Sequence, residues 1–93
     1  MRITYDPAKR DWTLRERQLD FEAAAHVFAG PVFEAPDTRF AYGEERIVTF
    51  GRLHGRMVVV VWTARGDARH IISMRNANDR EQARHARRLT QAS

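Results

Sequence analysis

Cysteine is absent from the 93 residues. That removes disulfides, thiolate metal ligands and thiol nucleophiles. Lysine is almost absent as well, since Lys9 is the only one among the 16 basic residues. No apolar run approaches the roughly 20 residues that span a bilayer. The opening Met1-Arg2-Ile3-Thr4-Tyr5-Asp6 has no apolar core of a secretion signal. A cytoplasmic protein with no membrane partner is expected. The five glycines are scattered singly, so no glycine-rich phosphate loop exists, and there is no Gly-x-Ser-x-Gly elbow. The four histidines and twelve carboxylates form no His-x-x-x-His or paired-acid spacing, so neither a metal nor another cofactor is expected.

What remains is arginine. Residues 1–45 hold six Lys/Arg and nine Asp/Glu, a balance of −3; residues 46–93 hold ten arginines and three acids, a balance of +7; together they give the net +4. The guanidinium fork grips phosphate bidentately and stacks on bases, which favours a polyanionic partner. Arginine in place of lysine is also what a biased genomic base composition produces. The length allows one domain with one modest core, and 43% hydrophobic residues are enough for a globular fold.

The stretch Arg56–Arg75 reads as a hairpin. Met57 to Thr63 is continuously apolar and β-branched, which suits a strand covered on both faces. Arg65-Gly66-Asp67 supplies the turn. Ala68 to Arg75 returns with period two: Arg69, Ile71, Ser73 and Arg75 on one face, His70, Ile72 and Met74 on the other. Before the hairpin, Glu44 to Arg52 reads as a strand and Leu53-His54-Gly55 as a tight turn, giving an antiparallel meander. Val32 to Ala35 is a weaker strand candidate, followed by a loop from Pro36 to Gly43.

At the N-terminus, Met1 to Tyr5 alternates like an edge strand, and Asp6-Pro7 opens a helix that runs to about Arg17. Trp12 is expected to anchor that helix to the core. Asp20 caps a second helix with a buried stripe of Phe21, Ala24, Ala25 and Phe28, stopped by Gly30-Pro31. His26 falls opposite the stripe. A last helix begins near Asp79, with Asn78 and Glu81 as a capping box. Its apolar stripe of Ala83, Ala86 and Leu89 is sparse, and Arg80, Arg84, Arg87 and Arg88 fill the rest.

The blocks Asp6-Pro7-Ala8-Lys9, Leu19-Asp20-Phe21-Glu22-Ala23-Ala24, Gly43-Glu44-Glu45-Arg46, Gly55-Arg56-Met57-Val58-Val59-Val60, Thr63-Ala64-Arg65-Gly66 and Arg69-His70-Ile71-Ile72-Ser73-Met74-Arg75 cover nearly the whole chain. In this order they resemble the BrnT family of small bacterial toxins. The resemblance implies an α+β, RelE-like fold: a small antiparallel sheet with two N-terminal helices and a C-terminal helix. It also implies an endoribonuclease, the toxic half of a type II toxin–antitoxin pair. The implied partner is a ribbon-helix-helix, BrnA-like antitoxin, in a heterotetramer that reaches operator DNA through the antitoxin. The chain departs from the family at Thr13-Leu14-Arg15-Glu16-Arg17-Gln18, where many members carry Asn-Leu-x-Lys-His-Gly. Arg39 and Tyr42 stand in the region where many members have a histidine.

A metal-free ribonuclease must hold the scissile phosphate, take the 2′-OH proton and offset the charge of the phosphorane. Fixed cations act on charge that develops only in the transition state. Arg65, Arg69 and Arg75 suit that role, although Arg69 and Arg75 would lie roughly 20 Å apart along a strand. Arg65 is equally readable as a turn arginine paired with Asp67. His70 is either a general base or a core histidine beside Ile72 and Met74. Lys9 is a base or phosphate ligand through the resemblance, or a solvated first-turn lysine. Arg46, Arg56 and Arg80 are candidate RNA contacts, with Tyr42 flanking. His54 and His85 have no assigned chemistry. The rival to the ribonuclease is a non-catalytic module that binds RNA, the ribosome or DNA together with a partner chain.

Overall fold

One long loop and two tight turns fold residues 32–76 back on themselves three times. In the computed structural model, which describes residues 2–39 and 41–91, β2 (Val32–Pro36), β3 (Ile47–Leu53), β4 (Arg56–Arg65) and β5 (Ala68–Asn76) form the expected antiparallel meander. Met1 of the first expected strand and Phe40 of the 36–43 loop lie outside the described residues. Gly66 takes φ 61° at the β4–β5 turn, a conformation that costs glycine little. The third expected strand starts later than its sequence pattern, at Ile47, and Glu44 and Arg46 form an ion pair of 3.4 Å in the loop before it.

The sheet is mixed, which corrects the expectation of a purely antiparallel one. The first strand, β1 (Arg2–Tyr5), is an edge strand as expected, but it runs parallel to β5, from Arg2 opposite Ala68 to Tyr5 opposite Ile71. The strand order is β1-β5-β4-β3-β2, so the chain must cross the sheet between β1 and β2. It does so through α1 (Pro7–Arg17), a 3-10 turn (Phe21–Ala23) and the short α2 (Ala24–Ala29). Asp6 accepts from the Ala8 N–H at 2.9 Å, the cap that its side chain suggests. The second helix is thus broken into a turn and a six-residue helix. Its buried residues are Phe21, Ala24 and Val27, with Phe28 half-buried, while Ala25 is exposed.

These residues pack on one side of the sheet, the α2 face, against Leu53, Val58, Val60, Trp62, Ile71 and Met74. The approach is close: a Cβ at Gly51 would stand 2.5 Å from Val27 Cγ1. Trp12 is not part of this core. It is 46% exposed, and Thr13 turns inward instead. The reason is that α1 is fastened by polar contacts. Arg10 donates to both oxygens of Asp20 at 2.8 and 3.0 Å, and Arg17 donates to the Met74 carbonyl at 3.0 Å.

The opposite side carries α3 (Asp79–Gln91), which covers Phe50, Met57 and Val59 with Leu89 and, in part, Ala86. The capping box forms as expected: Asn78 Oδ1 accepts from the Glu81 N–H at 2.8 Å, and Glu81 accepts from the Asn78 N–H at 3.0 Å. Ala83 is exposed. Its place in the buried stripe belongs to His85, whose ring lies 4.1 Å from that of Phe50 and 4.9 Å from that of Phe33.

Burial pushes the His85 pKa down, and Arg88 and Arg84 add to the effect. The folded ring therefore resists a proton that the unfolded chain accepts near pH 6.5. Stability should fall as pH drops below 6.5. A second loss should follow between about pH 4.5 and 2. There Glu81, held down to about 2 by Arg75, and Asp37, held down to about 2 by Arg39, become protonated. Urea midpoints measured against pH should show both stages, and His85→Phe should shrink the first.

Candidate active site

The sheet positions its polar side chains through one irregularity. Between β4 and β5 the register reads Val61 opposite Ser73 and then Trp62 opposite Ile71, which leaves Ile72 as an extra residue in a bulge. A bulge reverses the alternation beyond it. Ile71 and Met74 therefore both enter the α2-face core, and His70, Ser73 and Arg75 fall on the α3 face. This overturns the simple parity of the sequence, which placed Arg69 with Arg75 and His70 with Met74.

Arg69 is on the α2 face. Its guanidinium lies 4.0 Å from the Phe28 ring centroid and 4.9 Å from that of Trp62. That geometry is a packing contact between a cation and two aromatic faces. Arg69 is separated from Arg65 and Arg75 by the thickness of the sheet.

His70 is half-buried on the side away from that core. Its Nδ1 lies 2.9 Å from Thr4 Oγ1, a contact made possible by the parallel pairing of β1 with β5. This bond orients the ring and leaves Nε2 for proton transfer. Burial lowers the His70 pKa, and the charges of Arg65 and Lys9 lower it further, against opposing effects of Glu44 and Asp6. The shift favours the neutral ring. Asp6 and Lys9 come from the start of α1, and Arg65 from the end of β4. Arg65 reaches toward Glu44 at 3.9 Å, not toward Asp67, which pairs with Arg2 at 3.5 Å.

Farther along the same face, Arg75 donates to both carboxylate oxygens of Glu81 at 2.7 and 2.8 Å, which places its fork at the first turn of α3. The Arg39 charge is felt at Arg75. Arg39 is itself held by Asp37 at 2.9 Å, and Tyr42 donates to the same carboxylate at 3.1 Å. Arg46 stands 3.9 Å over the Tyr42 ring, at the same end of the sheet as His70. The structure thus gathers Lys9, Arg65 and His70, with Arg46 and Arg75 on the flanks. It does not bring Arg56 to them: that residue starts β4, at the other end of the sheet from Thr63, the partner of His70. Arg80 is exposed on the first turn of α3. Among the described residues, no three His, Asp or Glu side chains come together as a metal site.

The sequence reading did not include Thr4, Asp6, Glu44 and Arg39 in this constellation. Asp6 and Glu44 lay in recognised blocks, but nothing local marked their approach to His70. Thr4 had no signal short of knowing which strand β1 joins.

Residues 5–81 match the family described as the ribonuclease toxin BrnT of type II toxin–antitoxin systems. The chain belongs to the BrnT family. The match contains every element from Tyr5 through the first turn of α3, and so all of the His70 constellation except Thr4. BrnT membership makes this a ribonuclease toxin by family and an antitoxin its partner. No curated protein matches the chain. No described helix is long and apolar enough to cross a membrane.

Proposed function

We propose that this BrnT protein is a single-domain, cytoplasmic endoribonuclease of RelE-like architecture that cuts RNA by attack of the ribose 2′-OH, without a metal. The observation that supports it best is a histidine tethered to Thr4, whose pKa is lowered by burial and by the charges of Arg65 and Lys9. His70 Nε2 takes the 2′-OH proton. The 2′-oxygen attacks phosphorus in line and the bond to the 5′-oxygen breaks. A 2′,3′-cyclic phosphate remains on one fragment. Lys9 supplies the proton that the departing 5′-oxygen requires, and Arg65 offsets the negative charge that grows on the phosphoryl oxygens. Arg75, steadied by Glu81, and Arg46 hold the neighbouring backbone, with Arg80 at the margin. The antitoxin is proposed to be a BrnA-like ribbon-helix-helix protein that forms a heterotetramer with the toxin and carries it to operator DNA. Its contacts are placed on the arginine side of α3 and on the open edge of β1.

Incubation with single-stranded RNA in EDTA tests the reaction. Cleavage should proceed and leave 2′,3′-cyclic and 5′-hydroxyl ends. The kcat/KM should rise with pH along a limb below pH 6.5, because the base must be neutral and its pKa is lowered. Intact RNA with salt-sensitive binding would instead support a non-catalytic RNA-binding module.

A further inference from the structure

Trp12 is exposed where a core aromatic was expected, and it lines a cavity. The cavity, of about 360 Å³, lies between α1 and the stretch of β5 beyond the end of β1, bordered by Lys9, Trp12, Thr13, Arg17, Ile72 and Ser73. We propose that it is a nucleobase subsite, in which a base of the bound RNA next to the scissile phosphate stacks on the Trp12 indole. This rests on the ribonuclease reading above and extends it to how the RNA is held.

Four observations carry it. First, the indole is 46% exposed, so a flat ring can reach it and stack on it. Second, the ring has a cation on either side of the cavity: Lys9 lines it, and the Arg17 guanidinium stands 5.0 Å from the ring centroid. Arg17 is itself fixed by its bond to the Met74 carbonyl. An aromatic platform beside backbone-binding cations is how single-stranded nucleic acid is held. Third, Lys9 belongs both to this cavity and to the charges that act on His70, so a base here sits next to the reacting ribose. Ser73 adds a hydroxyl that can give or take a hydrogen bond at a base edge. Fourth, the volume is near the lower end of the ~300–1,000 Å³ of small-molecule pockets. A planar ring fits it, whereas an antitoxin helix, about 10–12 Å across, does not.

The test uses a short RNA carrying 2′-O-methyl groups, which blocks the attacking oxygen, and a set of the same RNA with one abasic nucleotide at each position in turn. Binding to the wild-type protein should quench tryptophan fluorescence, because Trp62 is buried and Trp12 is the exposed reporter. Trp12→Ala should raise Kd roughly 10- to 100-fold, and Trp12→Phe should fall between the two. One abasic position should raise the wild-type Kd by a similar factor and cost nothing more in Trp12→Ala. Unchanged Kd in Trp12→Ala, or losses that multiply at every abasic position, would overturn the subsite. So would quenching by the antitoxin and none by RNA. If unmodified RNA is cut normally while no coupling appears, the subsite alone falls. If RNA is bound with coupling but never cut, the ribonuclease reading falls and the subsite stands.

Discussion

His70→Ala is expected to lower kcat for RNA cleavage by roughly 10²–10⁴-fold, the range for loss of a positioned general base. The expectation follows from three properties of the ring: it is tethered through Nδ1 to Thr4, it lies among Arg65 and Lys9, and its pKa is lowered, which favours the unprotonated form. The fold should survive, since the side chain is only half-buried and one neutral hydrogen bond is worth about 1 kcal/mol. Added imidazole should restore part of the rate, because the cavity left by the ring stays next to the phosphate cations. A stability curve on the same sample separates lost chemistry from lost structure. A His70→Ala protein that cleaves RNA at the wild-type rate would remove His70 from the reaction.

Phe21→Ala is expected to cost about 3–5 kcal/mol of folding free energy, as large aromatic truncations in a core do. Phe21 is fully buried and sits edge-to-face with Tyr5 at 6.0 Å. It is the residue through which the 3-10 turn before α2 grips the sheet, so its loss weakens the whole α2 layer. For a domain of this size, about 4–8 °C of Tm accompanies each kcal/mol. A fall of about 12–40 °C is therefore anticipated, and a protein near the lower end of the ordinary ~5–15 kcal/mol range would be left marginal. Calorimetry or a urea titration reads this directly. A drop under 5 °C, roughly 1 kcal/mol or less on the same scale, would mean that the packing of the turn against β5 contributes little.

Features set by neighbours in sequence were legible before the structure. The Asp6 cap, the Gly66 turn and the Asn78–Glu81 box are each written within three residues, and each forms as read. The continuous apolar run of β4 announced burial on both faces, and it is buried on both. What escaped was set by distance or by a single irregularity. The parallel partner of β1 lies 66 residues away, at Thr4 and His70, and no local pattern names it. The bulge at Ile72 has no glycine to mark it, yet it moves His70 onto the face of Arg75 and leaves Arg69 behind. The pairing of Arg75 with Glu81 crosses the corner between β5 and α3, where a strand pattern and a helix pattern meet, and neither pattern predicts it. Trp12 breaks the rule that an aromatic side chain anchors its helix, because α1 is held by Arg10 and Arg17.

The central claim is that the reaction takes place on the α3 face of the β4–β5 hairpin and not on the α2 face. Arg65 and Arg69 lie on the same hairpin on opposite faces, one beside His70 and the other packed on Phe28 and Trp62. The decisive measurement is kcat/KM for RNA cleavage by Arg65→Ala and Arg69→Met, each with its Tm. Arg65→Ala should lose about 10²-fold in kcat/KM with little change in Tm, as removal of a transition-state cation does, while Arg69→Met should stay within about threefold of wild type. Loss of activity in a stably folded Arg69→Met, with Arg65→Ala unimpaired, would place the chemistry on the other side of the sheet and contradict the account.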